Sequence, residues 1–198
     1  MEAFLEQFPA WLFYVVVWGI VYAETGLLLG FLLPGDSLLF AAGLLAARPG
    51  GANAAVVAAG VFVAAVAGDQ TGYSLGIRFG RPYTDRRGPR IREGVARAEE
   101  FYRTYGWLSL VAARFIPWVR TFTPFVAGVA RMHRGRFLAA NVVGALCWGV
   151  GLVALGYWAY QVPWLRDAAL VIAVTVVMAS VVGGLVMWWR GRASAEGR

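Results

Sequence analysis

Five ionisable residues of this chain lie in or beside apolar segments, and their types could bind an anion and exchange protons. They are Glu24, Asp36, Asp69, Arg114 and Arg120. A charged side chain at the bilayer centre costs roughly 2.5 to 3.5 kcal/mol, so such residues rarely lie there without a partner or a function. Guanidinium groups bind phosphate bidentately, so the two arginines are the expected substrate phosphate-binding residues.

The three acids are the expected proton-coupling residues. Three carboxylates against two guanidinium groups leave an excess negative charge, which a bound anion would increase and protonation of one carboxylate would remove. We therefore expect proton uptake to accompany anion binding. Structural roles remain open: Asp36 as a helix cap, Glu24 at the interface, Asp69 bonded to a neighbouring helix, and the arginines in purely structural ion pairs.

The composition is that of an integral membrane protein. Of the 198 residues, 60% are hydrophobic and only 15% are charged, and a soluble domain of this size would expose too much apolar surface. We expect one membrane domain over residues 1–198. The 18 basic residues are all arginines, and their clusters flank the apolar segments. Anionic lipid head groups are therefore expected partners and nucleic acid is not.

Two apolar segments, at about 27–47 and 107–130, are interrupted by proline and are predicted to form re-entrant helical hairpins. The first breaks at Pro34 and Gly35, where Asp36 or Ser37 can cap the next helix. The second breaks at Pro117, and Thr123 followed by Pro124 resembles an N-cap with proline at the first helical position. Each hairpin would direct a helix N-terminus, which favours anions, into the membrane interior.

Length sorts the other segments, because a spanning helix needs about 20 apolar residues. The candidates are residues 10–31, 54–77, 137–160 and 168–189. The arginine-rich segment 78–105 is predicted to be a cytoplasmic loop followed by an interfacial helix. The fold class is thus all-α integral membrane, with about four spanning helices and two re-entrant hairpins.

The two halves of the chain resemble each other, since a Phe-Ala-Ala-Gly sequence at 40–43 matches Phe-Val-Ala-Gly at 125–128. Arginine counting indicates that the repeat is inverted. With segment 78–105 in the cytoplasm, fourteen arginines lie inside and only Arg48 and Arg166 outside, a strong positive-inside bias. The hairpins then enter from opposite faces, as in many transporters, and both termini are cytoplasmic. The glycines at 68, 72, 76 and 80 are interpreted as a close-packing face.

Together with Glu24, three motifs make the chain resemble the bacterial DedA family, the prokaryotic branch of the VTT-domain (SNARE-associated Golgi protein) superfamily. The motifs are Pro34-Gly35-Asp36, Gly68-Asp69-Gln70-Thr71-Gly72-Tyr73 and Arg114-Phe115-Ile116-Pro117-Trp118-Val119-Arg120. The resemblance covers roughly residues 20 to 160. It places the family's functional acids on Glu24 and Asp36 and its functional arginines on Arg114 and Arg120.

The resemblance implies opposed re-entrant hairpins and a lipid transporter of the bacterial cytoplasmic membrane that is linked to the proton motive force. Undecaprenyl phosphate recycling is the leading role. Phosphatidylethanolamine scrambling and proton-coupled transport of small ions or drugs are the alternatives. An enzyme is not expected: His133 and Cys147 are the single histidine and cysteine, so we expect no metal and no cofactor. The apolar faces permit a homo-oligomer without requiring one.

Overall fold

The computed structural model describes residues 10–26, 35–80, 82 and 89–165, which form helices joined by short connections. The helices are α1 (Ala10–Gly26), α2 (Gly35–Ala46), α3 (Ala54–Gly80), α4 (Pro89–Tyr105), α5 (Leu108–Ala113), α6 (Pro117–Val129) and α7 (Arg134–Gln161). These ranges contain no strand, which confirms the all-helical class.

Helices α3 and α7 are long and apolar enough to cross a membrane, with 27 and 28 residues. At 1.5 Å per residue each is about 40 Å long, more than the roughly 30 Å of a hydrocarbon core. They coincide with the predicted spans at 54–77 and 137–160. Helix α1 covers 10–26 of the first predicted span, whereas its remainder and the predicted span 168–189 lie outside the described residues.

Each long helix contains a π-helical turn, at Gly76–Gly80 in α3 and at Leu146–Val150 in α7. The start of α3 is fixed by Asn53, whose Oδ1 accepts hydrogen bonds from the amides of Ala55 and Val56 at 2.9 and 3.2 Å. This cap satisfies two of the amide groups that a helix start leaves free. The Asn53 amide in turn donates to the Tyr14 hydroxyl at 2.8 Å, so the same residue connects α3 to α1.

Helix α2 begins at Gly35, with Asp36 in its first turn. Its 12 residues extend about 18 Å, too short to cross a hydrocarbon core. The predicted break is thus followed by a short helix, as expected, while Pro34 lies outside the described residues. Asp36 lies within the helix, and its Oδ1 accepts hydrogen bonds from side chains, as described below, so it does not precede the helix as an N-cap.

The second interrupted segment breaks between α5 and α6, at residues 114–116, and Pro117 is the first residue of α6. The predicted second break at Pro124 is wrong. Pro124 lies inside α6, which runs on to Val129, and the Thr123 hydroxyl donates to the Val119 carbonyl at 2.7 Å instead of capping a new helix. Pro117 occupies the first turn, where no amide donor is needed, and the helix begins there.

The apolar core joins α1, α2, α3 and α7. Its fully buried side chains include Val21 of α1, Leu39 of α2, Val57 and Val61 of α3, and Val153 of α7. A second cluster lies between α3, α5, α6 and α7, where the Tyr73 and Phe137 rings stack with centroids 4.5 Å apart. Along α3, Asp69 lies between Val61 of the first cluster and Tyr73 of the second.

Two pairs of glycines allow close packing of short helices on long ones. A Cβ at Gly43 of α2 would collide with the Val153 carbonyl of α7, and one at Gly156 of α7 would collide with the Phe40 carbonyl of α2. Such mutual contact requires small residues on both helices. Helix α2 therefore packs backbone to backbone on α7.

The same arrangement recurs between α6 and α3. A Cβ at Gly76 would collide with the Phe125 carbonyl, and one at Gly128 would collide with the Tyr73 carbonyl. Gly68, Gly72 and Gly80 also face neighbouring side chains closely, which confirms the predicted close-packing face. Each short helix after a break thus packs on the long helix of the other half of the chain.

Helix α4 carries exposed ion pairs, Arg97 with Glu93 at 3.7 Å and Arg103 with Glu100 at 2.6 Å. The hydrogen bond from Arg103 holds the pKa of the Glu100 carboxyl below its usual value. Burial raises the pKa of Tyr102 to about 12. Helix α4 itself, at 89–105, is the helix that the sequence predicts within segment 78–105.

Candidate functional site

The structure brings together all five ionisable residues that the sequence singles out. They come from five elements: Glu24 from the end of α1, Asp36 from the start of α2, Asp69 from the middle of α3, Arg114 from the turn after α5, and Arg120 from the first turns of α6. The turn at 114–116 lets the two arginines leave separate helices and reach one region. They form two adjacent clusters instead of one.

The first cluster is centred on Arg120. Its Nη1 donates to Asp36 Oδ1 at 2.5 Å, and its Nη2 pairs with Glu24 Oε1. The side chains of Arg120 and Glu24 are 10% and 2% exposed, whereas Asp36 is 46% exposed. One guanidinium group therefore joins carboxylates from two helices, and the cluster opens outward at Asp36.

The second cluster is centred on Arg114 and is closed. Its Nη2 pairs with Asp69 Oδ2 and also donates to Asn141 Oδ1. The Asn141 side-chain amide donates in turn to the Val66 carbonyl at 3.0 Å, which orients the amide oxygen toward the arginine. Arg114 and Asp69 have side chains only 8% and 10% exposed.

Trp148 lies against both clusters. The Arg120 Cζ is 4.5 Å from its ring centroid, and the Arg114 Cζ is 6.0 Å from it. Its indole Nε1 donates to Asp36 Oδ1 at 2.7 Å. One buried side chain thus contacts both arginines and one acid.

Two small cavities of about 10 and 20 Å³ adjoin the arginines. A cavity of this size holds about one water molecule. The larger is lined by Glu24, Asp69, Arg114, Arg120 and Trp148 among others. As formed by the described residues, neither cavity accommodates a phosphate group, so anion binding at the arginines requires the surrounding helices to separate.

Sequence reasoning missed two contributors to the site. They are Asn141 and Trp148, and neither is among the residues that the sequence singles out. With Gly144, whose missing side chain makes room for the Arg114 stem, they lie at positions i, i+3 and i+7 of α7 and therefore share one face. The presence of an amide, a glycine and an indole on one face of an apolar helix is the sequence signal that could have indicated this part of the site.

Two further residues lie outside the site. His133 is exposed and caps α7 by accepting a hydrogen bond from the Gly135 amide at 3.2 Å. Gly156 packs on α2. Among the described residues, no group of three or more His, Cys, Asp or Glu side chains could hold a metal ion.

Together these features define a helical membrane protein with paired charges buried among its helices. The family model for the VTT domain matches residues 33–158. Protein DedA of Escherichia coli K12 is 34% identical over 92% of this chain and 84% of its own length. A protein of Mycobacterium leprae, named only as a membrane protein, is 37% identical over 87% of this chain and 78% of its own length.

The chain therefore belongs to the DedA family of VTT-domain membrane proteins. No solved structure matches it. The name of the Mycobacterium leprae protein gives a location in a membrane, and neither name gives a substrate, so the function has to be argued from the site.

Proposed function

We propose that this protein is a lipid transporter that moves undecaprenyl phosphate across the bacterial cytoplasmic membrane for recycling of the carrier lipid. The observation that supports this is the pair of buried arginines, Arg114 and Arg120, held by carboxylates from three other helices. Guanidinium groups that can exchange a carboxylate for a phosphate suit a phosphate-bearing head group. The prenyl tail would remain in the bilayer.

Charge balance supports a link to the proton motive force. Glu24, Asp36 and Asp69 against two arginines leave one excess negative charge, and an incoming phosphate group adds to it. A buried charge without a partner is strongly unfavourable. Proton uptake by one of the acids would remove the excess, and its release on the other side of the membrane would couple transport to the proton gradient.

The proposed topology has two re-entrant hairpins, about four spanning helices and an inverted repeat within a single membrane domain of residues 1–198. Its support is the length of the helices: α2, α5 and α6, with 12, 6 and 13 residues, are too short to span. The breaks at Pro34-Gly35 and at Pro117 would place the hairpin tips at the buried charges. The reciprocal glycine contacts of α2 with α7 and of α6 with α3 fit two related halves.

The arginine distribution supports cytoplasmic termini and a cytoplasmic α4. Anionic membrane lipids would contact these flanking arginines, and protons and the lipid phosphate would meet at the buried site. The lipid leaves chemically unchanged in this proposal. Release of inorganic phosphate from polyprenyl phosphate would therefore contradict it.

The test is transport in liposomes that contain the purified protein. Movement of polyprenyl phosphate and of phosphatidylethanolamine between leaflets is measured with and without an imposed pH gradient. Arg114→Ala and Arg120→Ala are expected to abolish movement of polyprenyl phosphate. Arg97→Ala, which removes an 83% exposed arginine of α4, is the matched control and should transport like the wild type.

Each outcome leads to a different conclusion. Gradient-sensitive, arginine-dependent movement of polyprenyl phosphate alone supports the proposal. Equal movement of both lipids without a gradient indicates a phospholipid scramblase instead. Wild-type rates in both arginine variants refute the assignment of phosphate binding to Arg114 and Arg120. Movement of neither lipid refutes the proposal and favours a proton-coupled transporter of small ions or drugs.

A further inference from the structure

Trp148 contacts three members of the charged site, which are Arg114, Arg120 and Asp36. It is 5% exposed and lies in the π-helical turn Leu146–Val150 of α7. Its ring faces Arg120, and its indole N–H donates to the same Asp36 oxygen that Arg120 contacts. Single π-helical turns inside α-helices are frequent at functional sites.

The two carboxylates that share Arg120 differ in their other partners. Asp36 accepts a second hydrogen bond from Trp148, lies in the first turn of α2 and is half exposed. Glu24 is 2% exposed, and only its Oε1 contacts Arg120. Within the described part of the chain, Glu24 Oε2 is buried with no hydrogen-bond partner. It lies against Gly35, where a Cβ would collide with it.

Departure of Arg120 therefore affects the two acids unequally. If the guanidinium turns to an anion, Asp36 keeps the indole donor and its access to water. Glu24 keeps neither, and the other charges around it are Asp36, Asp69 and Arg114, of which Arg114 is already paired with Asp69. A buried carboxylate without a donor is expected to become neutral.

We propose that Trp148 is a positioning residue that keeps Asp36 ionised and in place while Arg120 binds the lipid phosphate, so that Glu24 is the carboxyl group that takes up the proton. The step is the addition of one proton to the Glu24 carboxylate, with no other bond formed or broken. This inference rests on the proposed function, because it assigns the proton that accompanies phosphate binding at Arg120.

Two substitutions separate the contributions of the indole. Trp148→Phe keeps an aromatic face for Arg120 and removes the N–H donor, whereas Trp148→Leu removes both. Loss of one hydrogen bond to a charged group corresponds to about tenfold or more in an equilibrium. We expect Trp148→Phe to move the pH dependence of transport, because Asp36 then competes with Glu24 for the proton. Trp158→Phe, at a 62% exposed position further along α7, is the matched control and should leave the pH dependence unchanged.

The assignment of the proton is tested by infrared difference spectroscopy on the purified protein as polyprenyl phosphate is added. Binding should produce the carbonyl stretch of one protonated carboxyl group in the wild type, in Asp36→Asn and in Trp158→Phe. The band should vanish in Glu24→Gln, and in Trp148→Phe part of its intensity should move to a second band from Asp36. Glu24→Asp retains a carboxyl group and should shift the band, which assigns it even if the Gln variant does not fold.

The inference is overturned if the band survives in Glu24→Gln and vanishes in Asp36→Asn. It is also overturned if Trp148→Phe equals the wild type in both the spectrum and the pH dependence of transport. In either case Arg120→Ala still abolishes binding and the proposed function stands. If instead polyprenyl phosphate binds Arg120→Ala as well as the wild type, the proposed function itself fails.

Discussion

The pair formed by Arg114 and Asp69 allows a test of whether buried charges are present for stability or for function. Both side chains are at most 10% exposed, and Asn141 is the other partner of Arg114. Removing one member of a buried pair leaves an uncompensated charge, which destabilises a protein by about 3 to 5 kcal/mol. Replacing both members with apolar residues of similar volume is often neutral or stabilising.

We therefore expect Asp69→Asn and Arg114→Leu each to destabilise the protein, and the double variant Asp69→Leu with Arg114→Leu to recover most of the loss. A change of 1 kcal/mol shifts Tm by roughly 2 to 4 °C in a protein of 150 to 250 residues. The single variants should thus unfold on the order of 10 °C below the wild type. Thermal unfolding in detergent, followed by circular dichroism or by a thiol-independent dye, measures the shift.

A transport measurement on the same variants distinguishes a role in stability from a role in function. The double variant should fold like the wild type and still fail to move polyprenyl phosphate, since the phosphate-binding guanidinium is gone. The reasoning is refuted if Asp69→Asn is as stable as the wild type, or if the double variant is no more stable than the single variants. A stable double variant that transports at the wild-type rate would leave Arg114 without a role in transport.

Three further predictions concern positions around the site. Gly76→Leu and Gly128→Leu should each destabilise the α3–α6 contact by about 1 to 3 kcal/mol through overpacking, whereas Gly19→Leu, with no neighbouring atom within 4 Å, should not; thermal unfolding compares them. Asn53→Ala should lower stability by about 1 kcal/mol and Asn53→Asp should retain the cap, again by thermal unfolding. Because its neutral form is favoured in the folded state, Tyr102 should stabilise the protein below its unfolded pKa of about 10 and lose that contribution as pH rises toward 12. Spectrophotometric titration should therefore show a late tyrosine step that Tyr102→Phe removes.

The long helices could be predicted from sequence because their signal is local. Helices α3 and α7 are runs of apolar residues whose length alone identifies them, and their observed bounds extend the predicted ones by only a few residues. The positions at which proline interrupts a helix are harder to predict. Proline at 117 and at 124 gives the same local signal, yet only one of them begins a helix, because a proline inside a helix is tolerated when neighbouring groups and tertiary packing compensate.

The charged residues could also be identified from sequence, since ionisable side chains in apolar segments are costly and therefore few. Which of these residues pair with each other could not be predicted from sequence. Arg120 lies 96 residues from Glu24 and 84 from Asp36, and Arg114 lies 45 from Asp69. Which arginine meets which acid depends on how five elements pack, and no local pattern encodes it. For the same reason Asn141 reads as an ordinary packing residue until its carbonyl oxygen is seen to accept from Arg114.

We expect Arg114 and Arg120 to act at different steps of transport, because the two clusters differ in their exposure and in their partners. Arg114 is enclosed by Asp69 and by an amide that the Val66 backbone holds in place, so its guanidinium has satisfied and rigid partners. Arg120 shares its carboxylates with an indole and reaches the surface through the half-exposed Asp36. An anion that approaches from outside would meet Arg120 first, because its partner Asp36 is half exposed, whereas Arg114 and its partner Asp69 are both buried. Substitution of Arg120 should therefore abolish the first binding of polyprenyl phosphate, whereas substitution of Arg114 should spare that binding and stop the subsequent movement.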